Sequence, residues 1–192
     1  SDLMRRTTEF LQFDEDDRML VAKSRFTAFY WWMTALWAQD SDVNGVCYAN
    51  GAYFPADPTL QVFPDTRDCI SRAVNLLNAP MRKLRLTDTE RAIGAYLSIF
   101  AEGVPNLSES GSVKYFASRD MLIRCLHEVN SAVCNNDLVV AMRLSNIIGI
   151  YPTITDLVMR ASDNMEISEV LQIVKFDEWS SSVRDHESKR LG

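Results

Sequence analysis

Histidine is nearly absent: His127 and His186 are the only two in 192 residues. His127 lies two positions from Cys125, about 200° around a helix, and Cys134 is seven further along, so the three do not converge on a metal. The four cysteines (Cys47, Cys69, Cys125, Cys134) fall in separate segments without C-x-x-C spacing, the pattern of reduced, mostly buried thiols in an intracellular protein. No G-x-S-x-G elbow, Walker loop or dinucleotide fingerprint occurs, and the carboxylates at Asp14–Asp17 read as a solvated turn with no apolar pocket to raise a pKa. These absences argue against an enzyme and against a bound metal. Basic residues are outnumbered 20 to 26, a net charge of −6, so this domain lacks the basic face that nucleic acid needs. No run approaches about 18 uncharged apolar residues and no signal-peptide layout opens the chain, which argues against a membrane span or a secretory leader.

Proline and glycine are also scarce, at six and seven, and leave long segments with helical spacing. With 47% hydrophobic residues the chain can build one substantial core, so residues 1–192 read as a single domain. Met19, Leu20, Phe26, Phe29, Tyr30, Met33, Leu36 and Trp37 recur at three- and four-residue steps, predicting a helix over 16–39 that is apolar on most sides and therefore central. Asp40–Asp42 and Asn44-Gly45 stop it. The one β signal follows: Val46–Ala49 and Ala52–Phe54 flank Asn50-Gly51, a pair favoured where both turn residues need positive φ. Pro55 and Pro58 keep this ribbon short. Further helices are expected over 69–84, broken or kinked at Pro80, and from a Thr87 or Asp88 cap to about Ala101, with Glu90 in the first turn. Two more are expected over 112–133 and over 138–173, the latter kinked at Pro152. The polar end, 180–192, reads as frayed.

The opening stretch carries the functional signal. Arg5, then Phe10 and Phe13, the acidic run Asp14–Asp17, and Arg18, Val21, Ala22 and Lys23 make a short apolar groove with positive charge at its end. Such a groove suits the C-terminal carbonyls of an amphipathic peptide helix. The pattern resembles the signature at helices 3 to 5 of nuclear hormone receptor ligand-binding domains, with Arg5 standing for its Lys, Phe10 for its Phe and Asp17-Arg18 for its Asp-Gln. The hairpin sits where that family has a β-turn. Leu84–Glu90 followed by an apolar helix, with Gly103–Leu107 at the next loop, resembles the helix 7 to 8 passage. Asn106 stands there where Gly is usual, and Gly103 where Asp is usual. Arg143–Ile148 with Pro152–Ile154 resembles helix 10. The matches occur in family order over nearly the whole chain, with the drift of a divergent, nematode-type member.

That resemblance implies an all-α fold: a three-layer antiparallel helical sandwich with one short β-hairpin around an internal pocket. It implies a fragment starting within helix 3 and a zinc-containing DNA-binding domain elsewhere. It further implies a nuclear transcription regulator that recruits a coactivator or corepressor helix and forms a homo- or heterodimer through helix 10. By position, Arg5, Met19, Leu20, Lys23 and Glu178 would form the coregulator groove. A ligand pocket would draw on Phe29, Tyr30, Met33, Trp37, Tyr48 and Phe54, with a small hydrophobic ligand as its only cofactor-like occupant. Leu144, Ile147, Ile148 and Ile154 would face a dimer partner, and Glu90 would pair with Arg143.

Plainer readings stand beside these. Arg5 and Lys23 also read as solvated charges, Glu90 as an exposed first-turn carboxylate, and the apolar residues of helix 10 as core. Trp37 occupies the position where acid-binding receptors carry an Arg, and a Trp cannot pair with a carboxylate. The cluster Phe29, Tyr30, Trp31, Trp32 and Trp37 therefore reads either as a neutral-ligand pocket or as a largely self-filled core. In the candidate activation helix, 176–183, serines replace apolar residues that would seal the pocket, which predicts weak ligand-dependent activation. The alternative function is a soluble all-helical carrier of hydrophobic ligands, or a scaffold, with no transcriptional role.

Overall fold

A short helix, α1 (Thr8–Leu11), leads into α2 (Glu15–Ser41), whose 27 residues form the axis of the molecule. The computed structural model describes residues 8–62, 65, 67–170 and 177–191. Asp14 takes the extended N-cap conformation, and Glu15, Asp16 and Asp17 complement the positive end of the α2 dipole. The acidic run is thus a helix start rather than a solvated turn, and Asp17 is buried. From Val21 to Ala38, buried residues occur on most sides of α2, as the periodicity predicts for a central helix. The helix stops at Asp42, which adopts the left-handed conformation at φ 51°.

Strands β1 (Gly45–Cys47) and β2 (Tyr53–Pro55) pair antiparallel, with Val46 opposite Phe54. The Tyr48 carbonyl accepts from the Gly51 amide at 3.1 Å, and only Gly51 has positive φ, at 83°. The expectation of positive φ at both Asn50 and Gly51 is therefore corrected. The extra residue makes a longer turn closed by a glycine bulge, in which Asn50 keeps negative φ and its Oδ1 accepts from the Ala52 amide.

After a 3₁₀ turn (Pro58–Leu60) the chain enters α3 (Cys69–Arg72), a π segment (Ala73–Asn78) and α4 (Ala79–Leu84), which run on without a break. Pro80, which has no amide to donate, sits just past the widened π turn, so the helix widens instead of breaking. Helix α5 (Asp88–Phe100) opens with a reciprocal capping box between Thr87 and Glu90. Ser108 caps α6 (Glu109–Val133) by accepting from the Gly111 amide. Asn106 has φ 62°, the left-handed conformation that Gly adopts freely and Asn tolerates better than most residues. Helices α7 (Asp137–Ile148) and α8 (Tyr151–Val170) are separate: the chain turns at Gly149-Ile150, and Pro152 lies in the first turn of α8, where it costs no hydrogen bond. This replaces the single kinked helix expected from the sequence. The polar C-terminal stretch is a helix too, α9 (Glu178–Leu191), not a frayed end.

Helix α5 packs between α2 and α6, α7 lies on α6, and α8, α9, the π segment and β1 all pack on α2. The fold is an all-α helical sandwich with one small ribbon. One crossing joins α2, α5 and α8 through Trp32 and Tyr151. Trp32 is fully buried there, donates from Nε1 to the Arg91 carbonyl at 3.2 Å, and stacks on Tyr151 at 5.5 Å between ring centroids. The Tyr151 hydroxyl donates to the Gly94 carbonyl, and burial pushes its pKa up. Among the described residues, one stretch, 137–167, is long and apolar enough to cross a bilayer. It is divided by the turn at Gly149-Ile150, and Val140, Ile147, Ile154, Leu157 and Val158 are buried against the rest of the chain.

Candidate functional site

The first turns of α2 are oriented by a buried carboxylate. Asp17 accepts from the Ser108 hydroxyl at 2.6 Å and from the Ser108 amide at 3.0 Å. These bonds hold its carboxyl below the usual aspartate value against the opposing effect of burial. Two turns on, Arg25 is buried and donates to Glu102 at 3.0 Å and to the Ser98 carbonyl at 2.8 Å, while Glu102 also bonds the Thr155 hydroxyl. With Asp17 and Arg25 turned inward, Met19 stands exposed and Lys23 half-buried one turn later, on the same face of the helix. Leu20 is half-buried and packs toward the core. Arg5 lies outside the described residues, so the groove is defined here from its α2 side alone.

Helix α9 packs beside this face. Val183 is buried, His186 Nε2 lies 2.7 Å from the Ser24 hydroxyl, and Arg184 pairs with Glu169 of α8 and with Asp185. Asp177 caps the helix by accepting from the Ser180 amide at 2.7 Å, and Glu178 is exposed in its first turn. The serine-rich start of α9 offers little apolar surface. Among its described side chains, the apolar anchor Val183 and a set of polar contacts dock it against α2 and α8.

Phe29 and Phe54, two of the six expected pocket residues, are core side chains, each 8% exposed. Met33 packs on the core, and Tyr30 stacks on Phe26 and meets Trp37 edge-on at 6.0 Å. Trp37 and Tyr48 do line a groove of about 350 Å³ between the last turns of α2 and the hairpin, together with Asp40, Ser41, Cys47 and Tyr53. The Tyr48 hydroxyl is raised by burial and by its neighbours Tyr30 and Cys69, and burial pushes the Cys69 thiol up to about 12.

Glu90 and Arg143 meet in bidentate contact: Nε to Oε1 at 2.9 Å and one terminal nitrogen to Oε2 at 2.8 Å. Glu90 is buried, which corrects the exposed first-turn reading. Burial alone would push its carboxyl up, but the hydrogen bonds and charge of Arg143 and the Thr87 amide and hydroxyl hold it below the usual glutamate value. Arg143 also donates to the Leu84 carbonyl at 2.5 Å, tying the end of α4 to α5 and α7.

Of the four residues expected to face a dimer partner, Ile147 and Ile154 are fully buried within the chain and are unavailable to a partner. Leu144 and Ile148 are half-buried against the core. The exposed apolar side chains of α7 are Leu138, Val139 and Met142. Sequence reasoning placed Asp17 in the signature but in a solvated turn, and it missed Arg25. The available signal for Arg25 was a charge in step with Val21, Ala28 and Trp32 on an otherwise apolar face. Among the described residues, no three or more His, Cys, Asp or Glu side chains are grouped to hold a metal ion.

No family model matches the chain. It is 32% identical over 197 aligned positions, 98% of its length, to a Caenorhabditis elegans protein named nuclear hormone receptor family member nhr-61. The chain belongs to the nuclear hormone receptor family. A second Caenorhabditis elegans receptor, family member nhr-4, is 23% identical over 180 positions covering 93% of the chain. As a receptor chain it spans about half the length of the first relative and about a third of the second, 47% and 36% respectively.

Proposed function

We propose that this receptor domain is the ligand-binding-type module of a nuclear transcription regulator. It docks a coregulator peptide helix on the α2 face that carries Met19 and Lys23, beside α9. The receptor relatives support the class of protein, and the observation that carries the site is the inward locking of Asp17 and Arg25. That locking leaves Met19 exposed and Lys23 half-buried on one face of α2, one residue before the Ser24 that meets His186 of α9. The ammonium of Lys23 would meet the negative C-terminal end of the peptide helix, and Met19 would supply an adaptable apolar contact. In this reading Arg5 completes the positive end of the groove, and Glu178 is the acidic counterpart on α9. The half-buried Leu144 and Ile148, with the outer apolar side chains of α7, would face a homo- or heterodimer partner. DNA contact through zinc modules would belong to the remainder of the receptor.

Ligand-dependent activation is weak in this reading, because Val183 is the one buried apolar anchor among the described side chains of α9. The module has no catalytic role and takes at most a small hydrophobic ligand. The test is a fluorescence-anisotropy titration with a labelled amphipathic coactivator helix. Micromolar binding that is lost in Lys23→Glu and Met19→Asp is the expected result. Absence of binding, or binding indifferent to both substitutions, overturns the docking site. Strong ligand-enhanced binding that depends on Glu178 overturns weak activation.

A further inference from the structure

We propose that the groove between the end of α2 and the hairpin binds a small organic cation bearing an alkylated ammonium group. Three observations point to that chemistry. First, aromatic side chains line the groove, Trp37 from α2 and Tyr48 and Tyr53 from the ribbon, with Tyr53 half-exposed and so free to meet a ligand. Aromatic faces attract alkylated ammonium groups through their ring quadrupoles. Second, the charged side chain lining the groove is a carboxylate, Asp40, and among the described residues no Lys, Arg or His lines it. Third, the groove lies at the C-terminal end of a 27-residue helix whose last turn contains no basic residue. The carbonyl end of the α2 dipole therefore adds negative potential.

Opposing charges are near but lie outside the groove lining. Arg91 pairs with Asp40 Oδ1 at 2.9 Å, and Arg82 reaches Asp42 at 3.6 Å and the Ala38 carbonyl at 3.3 Å. They offset part of the field without presenting a donor to a ligand carboxylate. An acid would meet Asp40 and no lining cation, so the groove discriminates against it. Its volume of about 350 Å³ is at the small end of ligand sites, which suits a head group or a small metabolite rather than a steroid-sized molecule.

The inference rests on the reading of this chain as a ligand-binding-type module but replaces its hydrophobic ligand with a cation at this groove, and its test is independent of coregulator docking. Amide chemical shifts of the full chain are followed during titration with choline, its neutral carbon isostere 3,3-dimethylbutan-1-ol, and the acid 3,3-dimethylbutanoate. Choline is expected to shift hairpin residues 48–53 and to bind about tenfold more tightly than the alcohol, with the acid weakest. Asp40→Asn should remove the preference for choline over the alcohol, and Tyr53→Ala, at an exposed ribbon position, should weaken choline without altering the fold. Equal affinity for choline and the alcohol overturns the proposal. So does preference for the acid, indifference to both substitutions, or no binding of any probe. Shifts produced by phosphatidylcholine vesicles but not by free choline overturn the small-cation assignment. If the peptide docks on α2 while choline does not bind, this inference alone fails; the reverse result leaves the groove and removes the coregulator site.

Discussion

Trp32 of α2 lies flat over Gly94 of α5 so closely that a Cβ on the glycine would stand 2.1 Å from the indole ring. A helix-interior Gly→Ala exchange normally stabilises, by about 0.5–1 kcal/mol. Here the ring is fully buried, stacked on Tyr151 and hydrogen-bonded to Arg91, and it has no room to retreat. Gly94→Ala should therefore destabilise by about 1–3 kcal/mol, the usual cost of overfilling a packed core. Urea unfolding would give this directly, and a neutral or stabilising effect would show that the α2–α5 crossing is looser than its geometry.

The Glu90–Arg143 pair makes a prediction with a pH signature. Removing the arginine leaves a buried carboxylate without its main partner, so Arg143→Leu should cost about 3–5 kcal/mol near neutral pH. Replacing both residues with apolar ones should cost much less than the sum of the two single changes. Because the folded-state pKa of Glu90 is depressed, its contribution is fully present above the unfolded glutamate value of about 4.3 and is lost as pH falls through the lower folded value. Stability measured from pH 7 to pH 3 should thus fall less steeply in Glu90→Gln than in the parent chain, from its lower starting point.

Much of this architecture can be read before folding, and the misreadings share one cause. The run of apolar residues in α2, the helix start at Thr87 or Asp88 and the position of the ribbon are local patterns, and each appears where the sequence puts it. Burial of Asp17 and Arg25 depends on Ser108 and Glu102, far along the chain, and no local pattern identifies those partners. Ile147 and Ile154, which the family resemblance places at a partner surface, follow the plainer reading and are core. Periodicity alone cannot say which side the body of the protein covers. The low hydropathy of α9 hid a helix whose order comes from the Asp177 cap and from tertiary contacts of Val183, Arg184 and His186.

Asp17, Ser108 and Gly111 form a unit that should not behave additively. A Cβ at Gly111 would stand 2.0 Å from Asp17 Oδ2, so Gly111→Ala must expel the carboxylate from its bonds with Ser108. Asp17→Ala should cost about 2 kcal/mol, the range for a buried hydrogen bond to a charged group. In that background the space under Gly111 is vacated, and Gly111→Ala should become neutral or stabilising, because alanine is the better helix former. A double-mutant cycle by chemical denaturation measures this coupling. Additive losses would mean that the carboxylate is not what excludes a side chain at position 111.

Among the described side chains of α9, Val183 is the buried apolar one, 5% exposed, while Ser180, Ser181 and Ser182 before it are half-buried. Burying one valine contributes about 1.5–3 kcal/mol, a small margin for a 14-residue helix. Val183→Ser should remove most of that margin and release the helix while leaving the α2–α5–α8 crossing intact. His186→Ala, which takes away the contact with Ser24, should do the same to a smaller degree. Hydrogen exchange by mass spectrometry separates local release from global loss. Amides of 178–191 should lose protection, whereas those of α2 and α5 should keep theirs. Uniform loss across all three helices would mean that α9 is part of the cooperative core and cannot serve as a movable edge of the coregulator groove. Unchanged protection would place its stability in contacts other than the valine.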